Sequence, residues 1–102
     1  MKIRINKRNI DLSPELKKYI ESRVALAFGR FSDRIRLVLV SFSKVEPVGG
    51  APATCCHIEV TLNKTVNVEA ADANAFAAVN RALGHAARRI TRAVDQEAAS
   101  DA

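Results

Sequence analysis

Arg81, His85, Arg88 and Arg92 follow one another at spacings of 4, 3 and 4, so on a helix they fall in one column of basic side chains. Arg89 sits beside that column, and from Ala73 to Val94 there is no aspartate or glutamate. Exposed helices ordinarily mix signs, because opposite charges at i, i+4 support a helix and like charges oppose it. Four arginines without an acid forgo that support. At 1.5 Å per residue the column spans roughly 16 Å, enough to meet several phosphates of a nucleic-acid backbone. The chemistry on offer is polyanion binding, set against a solvated face that is merely basic.

A second constellation is Cys55, His57 and Glu59, which share one face of a strand because side chains alternate. A Cys/His/Glu trio is a possible nucleophile arrangement, although a polar row on a solvent-facing strand is the commoner explanation. Adjacent Cys55 and Cys56 point to opposite faces, so they cannot clasp one metal, and a disulfide between them would be strained. Unpaired thiols suggest a reducing compartment. The chain has no C-x-x-C pair, glycine-rich phosphate loop, metal-spaced cluster or paired catalytic carboxylates. No enzyme, cofactor or metal site is expected.

The elements that position these residues can be read from periodicity. "MKIRINKRN" alternates, as a half-buried strand does. In "DLSPELKKYIESRVALAFGRF" Ser13 is a suitable N-cap and Pro14 a suitable first helical residue. Leu16, Tyr19, Ile20, Val24, Ala27 and Phe28 recur at helical spacing, with Gly29 as the expected stop. Arg23 falls within that apolar arc, its stem covering the core edge and its guanidinium projecting toward the seam between helices. "RIRLVLVSFSKV" reads as a strand with Val38, Val40 and Phe42 on one face and Leu37 and Leu39 on the other. The proline- and glycine-rich stretch 46–54 connects it to "CCHIEVTL" and "TVNVEA", two strands joined through Asn63 and Lys64. Asp72 is the expected cap of a long second helix with an apolar stripe of Phe76, Val79, Leu83, Ala86, Ala87, Ile90 and Val94. The basic column lies about 180° from the Phe76–Leu83–Val94 line.

The order β-α-β-β-β-α predicts an α+β two-layer sandwich: a four-stranded mixed sheet with both helices on one face. Strands one and two, joined through a helix, are expected to be parallel if adjacent. At 102 residues there is room for one domain, assigned to 1–96, with 97–102 as a short disordered tail. A net charge of +5 favours polyanionic partners. No N-terminal run looks like a signal peptide, and no apolar stretch approaches about 18 residues, so a cytoplasmic protein without a membrane partner is expected.

At this point the chain resembles a known family. "KIRINKRNIDLSPELKKYIESRVALAFGRF" is similar to the opening of the ribosome hibernation-promoting factors, also called ribosome-associated inhibitors. "EAADANAFAAVNRALGHAARRITR" is similar to their final helix, with an acidic cap, an aromatic-Ala-Ala-aliphatic run and a basic tract. The likeness covers 2–92 and is weakest from 46 to 57. It implies a fold similar to double-stranded-RNA-binding domains, and binding to the small ribosomal subunit in the channel used by messenger RNA. Translation is then blocked without catalysis, through basic side chains on ribosomal RNA.

Arg23, Arg88 and Arg92 match basic positions of that family pattern, and His85 stands where a lysine is common. Arg81 and Arg89 are this chain's own additions. The family's short members usually continue the last helix with lysines, where this chain reads "AVDQEAASDA", and Asn63-Lys64 replaces a glycine pair. The RNA-binding set is therefore Arg23, Arg81, Arg88, Arg89 and Arg92, with Lys17, Lys18 and His85 secondary. A monomer with no DNA partner is expected. The competing expectation is a protein-interaction regulator that docks an acidic protein through the same stripe, in keeping with the family's older label of sigma-factor modulation.

Overall fold

In the computed structural model, which describes residues 1–7, 12–46 and 50–100, the alternating opening forms strand β1 (Lys2–Lys7). Helix α1 (Pro14–Phe28) starts where its sequence says it should. The Ser13 hydroxyl accepts the Leu16 amide at 3.1 Å, a cap worth about 1 kcal/mol. The helix ends at Phe28, but not through a left-handed glycine: Gly29 has φ −55° and ψ −39°. The chain instead tightens into a 3-10 turn, Gly29–Phe31.

Three further strands follow: β2 (Leu37–Val45), β3 (Ala53–Thr61) and β4 (Thr65–Asp72). Their order in the sheet is β1-β2-β3-β4. β1 runs parallel to β2, while β2–β3 and β3–β4 are antiparallel. The mixed sheet and the two helices make the expected α+β architecture. Residues 8–11, between β1 and α1, and part of the 46–54 connection, at 47–49, lie outside the described residues.

One sheet face is apolar throughout, with Val38, Val40, Phe42, Cys56, Ile58, Val60, Val66, Val68 and Ala70 all buried. Both helices cover it, α1 through Leu16, Ile20, Val24 and Phe28. No charged or polar residue is buried among the described residues. Leu37 and Leu39, on the opposite face, are half-buried.

The second helix, α2 (Ala75–Ser100), departs from expectation at both ends. Asp72 is the last residue of β4, paired with Thr54, and its carboxylate accepts the Asn74 amide at 3.0 Å. Asn74 is the true cap: its Oδ1 accepts the amides of Phe76 at 2.8 Å and Ala77 at 3.3 Å. The ladder holds Asp72 in the sheet, so the helix opens two residues later. At the other end residues 97–100 of the expected tail are helical, and 101 and 102 lie outside the described residues.

The stripe on α2 is also rotated. Ala78, Val79, Ala82, Leu83, Ala86, Ile90 and Ala93 are buried, whereas Phe76 is 37% exposed. Phe76 instead meets Tyr19 of α1 edge-on, with ring centroids 5.1 Å apart. Four buried alanines let the α2 backbone approach the sheet closely, which a phenylalanine at such a position would prevent. Tyr19 Oη donates to Asn80 Oδ1 at 2.7 Å and closes the seam between the helices. Near its C-terminal end, α2 is pinned by Glu97, whose carboxylate pairs with Arg34 at 3.4 Å and accepts from Asn63 Nδ2 at 2.7 Å.

Candidate nucleic-acid interface

Rotation of the buried stripe moves the arginine column. At about 100° per residue the buried arc is centred near Ala86, and the column lies roughly 125° from it rather than opposite. One flank of α2 carries Asn80 and Thr91, which touch α1 through Tyr19 and the turn through Arg30. The other flank carries the column and overhangs β4.

Two arginines reach down from it to that strand. Arg81 Nη1 donates to the Ala71 carbonyl at 2.9 Å and lies 3.7 Å from the Asp72 carboxylate. Arg89 Nη1 donates to the Asn67 carbonyl at 3.2 Å. Arg88 Nη2 lies 2.7 Å from His85 Nδ1, with the guanidinium as the donor because arginine has no acceptor. Arg92 is exposed. Among the described residues the only ion pairs within 4.0 Å are Arg34–Glu97 and Arg81–Asp72. Arg88, Arg89 and Arg92 therefore have no described carboxylate within 4.0 Å, the acid that shares their depression being Glu69.

Between α2 and β4 runs a groove in two contiguous depressions, of about 400 Å3 and about 230 Å3, with Arg89 and Arg92 lining both. His85 and Arg88 border the first, and Lys64 closes the second. Lys64, in the β3–β4 turn, is a basic residue outside the expected set. Its signal was its place at the end of an edge strand running beneath the column.

The α1 residues of the expected set are not brought to this groove. Arg23 is exposed, one turn beyond Tyr19 on the side of α1 that faces α2, at the solvent boundary of an arc that does not include the 75%-exposed Leu26. The α1 seam and the arginine column occupy flanks of α2 about 120° apart. Lys17 and Lys18 are exposed and turned away from the seam. The set thus divides into a groove group of His85, Arg88, Arg89 and Arg92, with Arg81 further along β4 at Ala71 and Asp72, and an α1 group of Arg23, Lys17 and Lys18.

Cys55, His57 and Glu59 do share the open sheet face, all half-buried. His57 Nε2 is 3.0 Å from Asn67 Oδ1 on β4. Cys55 borders a depression of about 310 Å3 with His57 and Glu69, but burial, and then the Glu69 charge, push its thiol up rather than activating it. Burial, with a smaller contribution from Cys55, pushes Cys56 up to about 12. Both thiols are free, and no described group of acids, histidines and cysteines could hold a metal ion.

The Cys56 shift sets an alkaline limit on stability. An unfolded thiol ionises near 9.0 while the folded one holds its proton to about 12. The folded state binds more protons in that interval, so stability is full below pH 9 and falls as pH rises toward 12. Urea unfolding at pH 8 and pH 10.5 is expected to show a loss that Cys56→Ala reduces. An equal loss in that variant excludes this thiol as the cause.

Among the described residues no helix is long and apolar enough to cross a membrane. The fold is similar to that of a ribosomal subunit interface protein from Coxiella burnetii, with TM-score 0.77 and 17% identity over 93% of this chain and 99% of that one. It is similar also to the N-terminal domain of Protein Y from Thermus thermophilus, with TM-score 0.74 and 26% identity over 90% of this chain and 98% of that one. No protein of curated function matches the chain significantly in sequence. A family model described as "Sigma 54 modulation protein / S30EA ribosomal protein" matches residues 3–97, and the chain belongs to that family.

Proposed function

We propose that this protein is a non-enzymatic, ribosome-associated translation inhibitor, a hibernation factor that binds ribosomal RNA of the small subunit through its basic α2 surface. The observation that carries the proposal is that, among the described residues, no carboxylate lies within 4.0 Å of Arg88, Arg89 or Arg92, in a chain of this family. Solved relatives whose names include a ribosomal subunit interface protein support it. The mechanism is occupancy: guanidinium groups bind backbone phosphates by charge-assisted, often bidentate hydrogen bonds, and the bound domain excludes other ligands from that RNA surface. The protein acts in the cytoplasm as a monomer, with no DNA or membrane partner. Arg23, Lys17 and Lys18 add a second, weaker contact from α1.

Co-sedimentation with small subunits across a salt series tests this. About four phosphate contacts give a log–log slope near −3, so a fourfold rise in salt is expected to cost roughly 50-fold in affinity. No association even at low salt overturns the proposal. The other half of the family's description, sigma 54 modulation, favours a second reading in which the same arginines dock an acidic protein. Binding that survives nuclease treatment selects that one.

A further inference from the structure

The floor of the α2–β4 groove is a strand edge whose hydrogen-bonding character can be worked out. β4 is the last strand of the sheet. The Arg36 amide donates to the Thr61 carbonyl at 2.8 Å, so Thr61 directs its backbone groups toward β2 and away from β4. Its partner across the hairpin is Thr65. In an antiparallel ladder a residue opposite such a position points its own N–H and C=O outward, and every second residue repeats this. Asn67, Glu69 and Ala71 therefore also face out. Independently, the carbonyls of Asn67 and Ala71 are the ones met by Arg89 and Arg81.

Those arginines change what the edge can accept. An added β-strand needs free carbonyls for its amides as well as free amides for its carbonyls. Here guanidinium groups occupy two of the outward carbonyls, while the outward amides remain. Arg88, Arg92 and Lys64 stand along the same groove. The result is a long surface in which donors and positive charge outnumber the one acid of the lining, Glu69. It suits a ligand that is extended, rich in acceptors and negative, which describes a phosphodiester strand and not a peptide strand.

We infer that the α2–β4 groove is a binding site for the sugar–phosphate backbone of an unpaired RNA strand, held between arginine side chains and the outward amides of β4. The inference deepens the ribosomal-RNA proposal and rests on it for the source of the strand. It adds Lys64 and the backbone of Glu69 to the site, and it predicts a preference for single strands over duplex.

The test uses the full chain, a fluorescent uridine octamer, an RNA duplex of the same length and purified small subunits. Lys64→Glu, outside α2, is expected to weaken octamer and subunit binding about tenfold. Glu69→Pro deletes one outward amide where an edge strand tolerates proline, and is expected to bind several-fold more weakly than Glu69→Ala. If small subunits still bind both variants like wild type, the groove is overturned while the ribosomal proposal stands. If the octamer binds in the groove and small subunits do not bind at all, the ribosomal proposal falls and the groove stands. Duplex binding as tight as single-strand binding, or displacement of the octamer by an equally charged glutamate peptide, overturns the phosphodiester assignment. Should Glu69→Pro fail to fold, Lys64→Glu decides alone.

Discussion

Arg88→Glu combined with Arg92→Glu is expected to abolish binding to small ribosomal subunits, lowering affinity on the order of 100-fold or more at low salt. Each phosphate contact contributes about −0.7 to the log–log salt slope for an unpaired strand. Losing two of about four contacts halves that slope to roughly −1.4, and the new carboxylates repel what the guanidiniums attracted. The fold should survive, because both arginines are exposed and neither is ion-paired. Arg88 gives up its bond to His85, a surface contact of small consequence. Circular dichroism and a melting curve establish folding, and co-sedimentation at two salt concentrations gives the slope. A folded double variant that binds like wild type removes the column from the site.

Arg81 and Arg89 are expected to behave differently from that pair, for a reason visible only in three dimensions. Each is already bonded to a carbonyl of β4, and Arg81 has Asp72 beside it. Charged side chains over an exposed edge are a common guard against strand addition. Both guard the edge, and Arg89 also lines the groove. The acidic end of α2 also has a structural role: Glu97 ties it to Arg34 and Asn63.

Element order was legible because the strands alternate cleanly and α1 carries a serine cap with proline at its first position. The apolar sheet face followed from the same alternation, residue for residue from Val38 to Ala70. The rotation of α2 was not legible. Hydrophobic periodicity weights Phe76 heavily and alanine lightly, yet close packing against a sheet favours the small residue, so the alanines face in and Phe76 sits at the rim. That rotation of one flank brings the arginines over β4 rather than over open solvent. The start of α2 was ambiguous for a local reason. Asp72 and Asn74 both have the capping side chain, and only the pairing of Asp72 with Thr54 decides between them. The backbone amides of β4 leave no trace in side-chain chemistry, so no reading of residue types would have found them.

The groove depends on how firmly α2 is seated, and Ile90 is the residue that tests this. It is fully buried and directly follows Arg89 in the chain. Ile90→Ala is expected to cost about 2–5 kcal/mol, combining lost transfer energy with the cavity left behind. A domain of this size has only about 5–15 kcal/mol in total, so the melting temperature should fall on the order of 15 °C. Well below the new transition the arginines still stand on a formed helix, and RNA affinity should stay within a few-fold of wild type. Chemical denaturation with an unchanged m-value, paired with co-sedimentation at 10 °C, separates the two effects. A loss of binding as large as that of the arginine double variant, in a protein still folded at 10 °C, would mean that the seating of α2 and not its charge limits recognition. Retained binding with lowered stability assigns the packing to Ile90 and the recognition to the arginines above the β4 edge.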